Sequence, residues 1–299
     1  MGASITTDTL AGFEPHRKYL TGLAYRMLGS IADAQDVVQD AYLRWHDTER
    51  GAIREPRAFL TSVVTRLCLD VMKSARARRE TYFGQWLPEP LVEPLDIETE
   101  DAIDAPMALM LALERLSPLE RAAFLLHDVL DVDFPEIAEI LERSEPAVRQ
   151  LAARARANVR TDRKRFAIPA EEAEGIATAF FKAAKSGDPA ALKRLLAESA
   201  TFRADGGGKV NAATRELVGA DPIAQFITGF ARKEIAAGVG YRFFRPAWIN
   251  GLPGYVTIEF DGVLQTTAFE IEDGLVTAVY IMRNPDKLAG AEALVEVTA

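Results

Sequence analysis

The basic segment from Arg143 to Arg165 holds side chains that are suited to bind nucleic acid. It has eight basic and two acidic residues, whereas the whole chain has 35 Lys and Arg against 44 Asp and Glu. Arg can form two hydrogen bonds with guanine and Gln two with adenine, and any Arg can pair with a phosphate. Because charge can be segregated along a chain, this segment favours a contact with DNA. By itself it is also compatible with a helical hairpin that has a solvated basic face.

Apolar residues at helical spacing predict how these side chains are positioned. One stripe of a helix is formed by Val148, Leu151, Ala155 and Val159. Ser144 is a suitable N-cap for this helix, and Pro146 is tolerated in its first turn. The preceding "FPEIAEILERS" has the same periodicity, so a helix-turn-helix is predicted, with its second helix in the major groove. The side chains predicted to contact DNA are Arg149 and Gln150 at base edges and Arg154 and Arg156 at phosphates.

Two further charged clusters lie upstream on predicted helices. The polar face of one helix consists of Asp33, Asp36, Gln39 and Asp40. Its apolar face consists of Ala34, Val37, Val38, Ala41 and Trp45. The end of the next helix carries the basic residues Lys73, Arg76, Arg78 and Arg79. Taken alone, the acidic cluster is compatible with a solvated face.

The composition changes after the first helices. From Trp86 to Asp104 the chain has seven acidic residues, three prolines and no basic residue, which indicates a linker. A second helical block follows, and it includes a capping box from Ser117 to Glu120 with Pro118 at the first helical position.

The C-terminal third has the pattern of an α+β domain. Helices are predicted at about 171–186, 189–197 and 220–237, and four strand-like runs follow them. These runs are separated by Asn250-Gly251, Asp261-Gly262 and Asp273-Gly274. Such dipeptides between strand-like runs are strong hairpin signals, so a curled antiparallel sheet is predicted.

The chain length and the residue counts exclude several classes of protein. The 299 residues suggest two or three domains, and the lone Cys68 excludes an internal disulfide or a Cys-based zinc site. No signal peptide or apolar run of membrane-spanning length is present, so a cytoplasmic protein is expected. The three histidines, His16, His46 and His127, all precede the C-terminal third. No cofactor, metal or enzyme activity is therefore expected. The Asp residues in the glycine-containing turns of the C-terminal third are explained by turn conformation.

Three motifs resemble bacterial sigma factors, in the order of that family. "SIADAQDVVQDAYLRWH" is similar to the second conserved region, and "AFLTSVVTRLCLDVMKSARARRE" to its adjoining promoter-melting segment. "LSPLERAAFLLHDVLDVDFPEIAEILERSEPAVRQLAARARANVR" resembles the fourth region. Because no further domain lies between them, the resemblance is to sigma factors of the extracytoplasmic-function type.

This resemblance implies partners for the charged clusters. RNA polymerase core, through its β′ clamp and β flap, and promoter DNA are the expected partners. The polymerase-binding residues would be Asp33, Asp36, Gln39 and Asp40. The residues near the −10 element would be Arg66, Lys73, Arg76, Arg78 and Arg79, whereas Arg149, Gln150, Arg154 and Arg156 would act at the −35 element. Many relatives have Asn where this chain has Arg66.

The tail resembles a SnoaL-like, ketosteroid-isomerase-like cone over residues 171–283. "WLPEP", "DGGGK" and "NPDKL" are typical of the sigma subgroup with this domain fused, where it is understood as a built-in regulator. Docking of the tail on the linker is therefore predicted, with either an activating or an inhibiting effect. The residues expected in that contact are Trp86, Pro88, Asp205, Gly206, Gly207, Gly208, Lys209, Asp286 and Lys287. Because such cones often hold a small apolar ligand, a ligand pocket is a further expectation.

The predicted organisation is a multidomain chain with two all-α sigma domains and one α+β cone. The boundaries are 8–82 for region 2, 83–106 for the linker, 107–165 for region 4 and 170–290 for the regulatory domain. The alternative is a DNA-binding one-component regulator, or an enzyme with a ligand-binding or isomerase-like C-terminal domain. The acidic helix and the −10-like segment favour the sigma factor, because a repressor needs neither.

Overall fold

The computed structural model describes residues 2–48, 53–79, 82–95, 103, 105–159 and 169–296, without the side chains of 2–11, 75–79, 170 and 296. The chain divides into two compact units. The N-terminal unit joins Met1–Thr81 with Ile103–Arg163, and the C-terminal unit joins Tyr82–Ala102 with Lys164–Ala299. Within the described residues, no helix combines the length and apolar character needed to cross a membrane.

The first half of the N-terminal unit consists of three packed helices. They are α1 (Gly2–Leu28), α2 (Ile31–Asp47) and α3 (Pro56–Arg79). The hydroxyl of Ser30 accepts a hydrogen bond from the backbone N–H of Asp33 at 3.2 Å and caps α2. The apolar stripe of α2 is buried as the periodicity predicts, and so is Cys68, where burial raises the pKa of the thiol and leaves it unreactive.

The second half of this unit contains the predicted helix-turn-helix. Its elements are α4 (Met107–Glu114), α5 (Pro118–Phe124), a π-helical turn (Leu125–Val129), α6 (Phe134–Leu141) and α7 (Glu145–Val159). The capping box is present, with both hydrogen bonds between Ser117 and Glu120 formed and Pro118 in the first turn of α5. Glu142 ends α6 in a left-handed conformation, with φ of 54°, and this reverses the chain before α7.

A buried arginine joins the two halves of the N-terminal unit. The side chain of Arg121 on α5 is 1% exposed. Its Nη1 donates to the carbonyl of Met27 at 2.6 Å and lies 2.9 Å from the Glu114 carboxylate. A buried guanidinium needs such partners, and sequence periodicity alone does not find this contact.

The C-terminal unit is one curled sheet with helices against it. Its helices are α8 (Ala170–Lys185), α9 (Pro189–Lys193), α10 (Ala220–Ala237) and α11 (Ala289–Glu296). Its strands are β1 (Val92–Pro94), β2 (Leu196–Asp205), β3 (Leu217–Val218), β4 (Phe243–Ile249), β5 (Leu252–Ile258), β6 (Leu264–Glu272) and β7 (Leu275–Met282). The strand order is β1-β4-β5-β6-β7-β2-β3. Among these described strands, β2 pairs parallel with β7 and the other neighbours pair antiparallel.

The three predicted hairpins are confirmed. β4 to β7 pair antiparallel in succession, with the turns at Asn250-Gly251, Asp261-Gly262 and Asp273-Gly274. Asn250 and Asp273 have φ of 49° and 51°, and the glycine after each also has a positive φ. This is the backbone geometry that favours Asn, Asp and Gly in tight hairpins.

Two parts of the sheet differ from the sequence prediction. The helix expected at 189–197 ends at Lys193, and strand β2 begins at Leu196. Long-range pairing with β7 overrides the helical propensity of this segment. The linker also provides a strand, because Val92 pairs with Ile249 and places β1 at the sheet edge. A proline in this strand is tolerated at an edge, where one side of the backbone needs no partner.

Candidate functional sites

The acidic surface of α2 is exposed and includes one apolar side chain. Asp36, Gln39 and Asp40 are exposed, whereas Asp33 is half-buried beside the N-cap. Leu43, one turn after Asp40 and Gln39, is 52% exposed. Carboxylates around an exposed leucine are suited to a protein partner with basic and apolar groups. The prediction did not include Leu43, although its position outside the apolar stripe of α2 could have indicated it.

Arg66 lies against the end of α6. Its Nε donates to the carbonyl of Ile140 at 3.1 Å, and its Nη2 donates to the carbonyl of Glu139 at 3.0 Å. The last carbonyls of a helix lack partners within the helix and attract cations. Arg66 therefore caps α6 in this structure.

The remaining residues of the −10 cluster are only partly described. Lys73 is 75% exposed and pairs with Asp70 at 2.9 Å. The backbones of Arg76, Arg78 and Arg79 belong to α3, but their side chains lie outside the described part of the chain.

The three basic residues of α7 all form ion pairs; Arg149 and Arg154 are exposed, and Arg156 is half-buried. Arg149 pairs with Glu145 at 2.6 Å and lies over the Phe134 ring, 4.2 Å from its centroid. Gln150 beside it is exposed.

The two arginines predicted at phosphates pair with neighbouring helices. Nε of Arg154 lies 2.7 Å from Glu120, and Nε of Arg156 lies 2.6 Å from Asp128. The hydrogen bond from Arg154, followed by that from Ser117, lowers the pKa of Glu120. Because the two arginine side chains are 57% and 42% exposed, the pairs contribute about 0–1 kcal/mol each, and a phosphate can replace the carboxylate.

Asp205 is the centre of a buried polar cluster in the C-terminal unit. It is completely buried at the end of β2. Its Oδ2 accepts from the backbone N–H of Leu87 at 2.9 Å and from Nζ of Lys287 at 2.8 Å. Its Oδ1 accepts from the Tyr82 hydroxyl and from the backbone N–H of Gly207 at 3.0 Å. A buried carboxylate is stable only with such partners; one of the four comes from linker residue Leu87 and another from Tyr82, which directly precedes the linker.

Lys287 completes the contact between linker and domain. Its Nζ donates to the carbonyl of Leu87 at 2.7 Å and lies 4.2 Å from the centroid of the Trp86 ring. Nδ2 of Asn284 donates to the Tyr82 hydroxyl at 2.9 Å. We call this cluster the linker clamp. Its members are Tyr82, Trp86, Leu87, Asp205, Asn284 and Lys287.

Burial raises the pKa of Tyr82 in the clamp, and the hydrogen bond to Asp205 raises it further. The Tyr82 hydroxyl donates to the Asp205 carboxylate. Leu87 and Asn284 were not among the predicted contact residues. Leu87 contributes only backbone groups, which its side-chain type cannot indicate.

The three glycines of "DGGGK" have structural reasons. A Cβ on Gly206 would lie 2.4 Å from the carbonyl oxygen of Val210. Gly207 has φ of 62°, and a Cβ there would lie 2.5 Å from the Asn284 side chain. Gly208 has φ of 70° and approaches Phe83 of the linker. Gly206 and Gly207 thus leave no room for a side chain against Val210 and Asn284, and Gly208 adopts a left-handed backbone beside linker residue Phe83.

The other predicted contact residues lie around the clamp. Pro88 is buried. Lys209 pairs with Asp286 at 2.6 Å, and both side chains are more than half exposed. It is therefore Lys287 of "NPDKL", rather than Lys209, that hydrogen-bonds to the linker.

Comparisons with known proteins identify the family of the chain. Residues 13–78 match the family model described as Sigma-70 region 2, and residues 107–159 match Sigma-70, region 4. The chain belongs to the family of extracytoplasmic-function RNA polymerase sigma factors, which are transcription initiation factors and not enzymes.

Individual relatives extend the similarity to the C-terminal unit. The chain is 40% identical to the ECF RNA polymerase sigma factor SigJ of Mycobacterium tuberculosis over 292 residues, 93% of each chain. It is 30% identical to the probable ECF RNA polymerase sigma factor SigI of the same organism, over 93% of this chain and 94% of that one. The crystal structure of M. tuberculosis SigJ superposes with a TM-score of 0.74 at 38% identity, covering 94% of this chain and 98% of that one.

Proposed function

We propose that this sigma factor binds RNA polymerase core through α2 and promoter DNA through α3 and α7, under control of its C-terminal unit. The acidic surface around Leu43 would meet basic residues of the β′ clamp, and region 4 would meet the β flap. Charge complementarity would set register and association rate, whereas burial of Leu43 would slow dissociation.

DNA recognition would combine contacts to base edges with contacts to phosphates. Arg149 and Gln150 are on the first turns of α7, where a recognition helix reaches base edges. Arg154 and Arg156 would exchange Glu120 and Asp128 for phosphates near the −35 element. Lys73 and the basic end of α3 would add salt-dependent affinity near the −10 element, without sequence information.

The observation that supports regulation is the linker clamp. The linker runs between α3 and α4, the last and first helices of the two DNA-binding regions. The clamp binds it to the C-terminal unit through a fully buried carboxylate and a lysine that is 12% exposed. Tyr82–Ala102 also belongs to the compact C-terminal unit rather than to the helical N-terminal unit. Anchoring of this segment would restrict the spacing between the −10 and −35 readers, so release of the clamp would change promoter opening.

The domain boundaries predicted from the sequence remain part of this proposal. Regions 8–82 and 107–165 would bind polymerase and DNA, and 170–290 together with the linker 83–106 would act as the regulator. A cavity in the C-terminal unit would hold a small apolar ligand.

Run-off transcription with purified core polymerase tests the proposal. Reversal of Asp36 and Asp40 to Lys is expected to abolish co-purification with core enzyme while the helical circular-dichroism signal remains. Asp205→Asn and Lys287→Met are expected to change open-complex formation while core binding persists. Unchanged open complexes in both clamp variants would exclude a regulatory role for the clamp. Transcription independent of the added chain would favour a one-component DNA-binding regulator.

A further inference from the structure

The C-terminal unit contains a cavity of about 100 Å³ between α8, α10 and the sheet. Aromatic rings form much of its wall: Phe180, Phe202, Phe226, Phe230 and Tyr255. An engineered apolar cavity of roughly 150 Å³ holds benzene, so this volume is on the scale of one ring. The aromatic wall therefore suits a single small cyclic group.

The same wall carries an ionic cluster with unequal charge. Nζ of Lys185 lies 3.1 Å from Glu234 and also hydrogen-bonds to Glu259. The two glutamate side chains are only 7% and 9% exposed. Glu259 also accepts from the Thr257 hydroxyl at 2.9 Å. Two carboxylates share one ammonium, so this cluster has a net charge of −1.

The other charge of the wall is already balanced. Arg283 pairs with Asp261 at 2.7 Å and donates to the carbonyl of Asn211 at 2.9 Å. The excess charge of the cavity is therefore that of the two glutamates. A buried carboxylate is stabilised by a cation or a hydrogen-bond donor, and aromatic faces also attract cations.

One part of the cavity wall also contacts the linker. Asn211, Ala212 and Ala213 line the cavity and follow the "DGGGK" loop. The carbonyl of Ala213 accepts from Nε2 of the linker residue Gln85 at 3.2 Å. Arg283, also in the wall, directly precedes Asn284 of the clamp. An occupant of the cavity would thus press on two segments that hold the linker.

We propose that the cavity binds a small ligand with one aromatic or alicyclic ring and a protonated amine, and that this ligand acts on the linker clamp. The ring packs among the phenylalanines, and the ammonium lies at Glu234 and Glu259. The ligand moves residues 211–213 and 283 and so changes how tightly the linker is held. The coupling step rests on the regulatory role proposed above, whereas the ligand class does not.

Three probes that share one ring but differ in charge test the ligand class. Benzylamine, benzyl alcohol and benzoate are titrated into the full-length chain at pH 7, and ligand-observed NMR measures each dissociation constant. Benzylamine is expected to bind at least ten times more tightly than benzyl alcohol, and benzoate most weakly. Equal affinity for the amine and the alcohol, tightest binding of benzoate, or no binding of the amine would each overturn the proposal.

Variants locate the site and test the coupling. Glu234→Gln and Glu259→Gln are expected to weaken benzylamine about tenfold and leave benzyl alcohol unchanged. Glu272→Gln, an exposed carboxylate on β6, is the matched control and should change neither affinity. The ranking of the three probes on the unaltered chain keeps the test valid if a cavity variant misfolds.

Linkage makes the coupling reciprocal. Lys287→Met, which loosens the clamp without altering the cavity wall, is expected to change benzylamine affinity at least threefold. An unchanged affinity would overturn the coupling and leave the ligand class standing. If the clamp variants leave open-complex formation unchanged while benzylamine still binds at the glutamates, only the regulatory proposal is overturned.

Discussion

Arg154 on α7 and Lys287 in the linker clamp make ionic contacts of nearly equal length in opposite surroundings. Nε of Arg154 lies 2.7 Å from Glu120, with side chains 57% and 15% exposed. Nζ of Lys287 lies 2.8 Å from Asp205, with side chains 12% and 0% exposed. Water competes for the first pair, so it is weak and can be exchanged for a phosphate. The second pair has no such competitor, and loss of one partner leaves a buried charge.

The contrast separates two uses of charge in one acidic chain. In α7, Arg149 and Arg154 form ion pairs in which the arginine is exposed, so a ligand can replace the carboxylate. The C-terminal unit uses a buried pair to hold the linker in one conformation. Distance alone does not distinguish these uses, whereas exposure and the number of hydrogen bonds do.

Removal of the buried carboxylate has the largest expected effect. Asp205→Ala leaves Lys287 and the Leu87 N–H without this partner, and we expect a loss of about 3–5 kcal/mol in the unfolding free energy of the C-terminal unit. Hydrogen exchange of the amides in β4 to β7 during a urea series measures that unit separately. Asp286→Ala is the matched control, because it removes an exposed pair with Lys209 and should cost about 0–1 kcal/mol. Similar losses in the two variants would remove the contrast between buried and exposed pairs.

Glycine substitutions test how closely the loop must approach its partners. Gly251→Ala, at φ of 71° in open space, should cost about 1–2 kcal/mol from the left-handed backbone alone. Gly207→Ala has a similar φ but also places a Cβ against Asn284, so we expect about 1–3 kcal/mol more from overpacking.

Thermal unfolding compares the two glycine variants. The addition of Asn284→Ala to Gly207→Ala should recover part of the difference, since it removes the clashing side chain. No recovery would mean that the clash is not the cause.

Substitutions on α7 test the exposed arginines, whose carboxylate partners a ligand can replace. Arg149→Ala should cost about 1–3 kcal/mol of binding free energy and relax the base preference at one promoter position. Arg154→Ala should weaken all sequences alike and reduce the salt slope by about 1. A randomised-promoter assay with core polymerase, repeated at several salt concentrations, measures both effects. An unaltered base preference in Arg149→Ala would mean that another residue reads that position.

The smallest expected effect is the pH dependence of the Arg154–Glu120 pair. The pKa of Glu120 is lowered in the folded state, first by the hydrogen bond from Arg154. The stabilisation is therefore present above the unfolded-state pKa and is lost as pH falls through the folded-state pKa. Glu120→Gln should reduce stability by less than about 1 kcal/mol near pH 7, and the difference from the unaltered chain should shrink in acid. A difference that grows as the pH falls would contradict this sign.

The comparison also shows where sequence patterns are informative. The stripes of α2 and α7, the capping box at Ser117 and the three hairpin turns follow from local spacing, because neighbours in sequence determine a helix face or a tight turn. The candidate residues of α2 and α7 follow from the same periodicity.

Contacts between distant residues could not be found in this way. The hydrogen bonds by which Arg66 caps α6 link residues that are separated by 74 and 73 positions in the sequence. Strand β2 has helix-forming residues at its start, and its pairing with the distant strand β7 overrides that local preference. Lys287, rather than Lys209, hydrogen-bonds to the linker because of the position of the short helical turn after β7.

The sequence alone determined the family, the helix-turn-helix, the acidic helix and the α+β character of the C-terminal third, since each depends on motifs or on local periodicity. Only the tertiary structure decided which charges are exposed, so that another ion can replace their partner, and which are buried in a fixed pair. The reason is physical. The strength of a charge pair depends on its solvation, and solvation at Asp205 is set by groups from residues 82–87, 207 and 287 that come together only when the chain is folded.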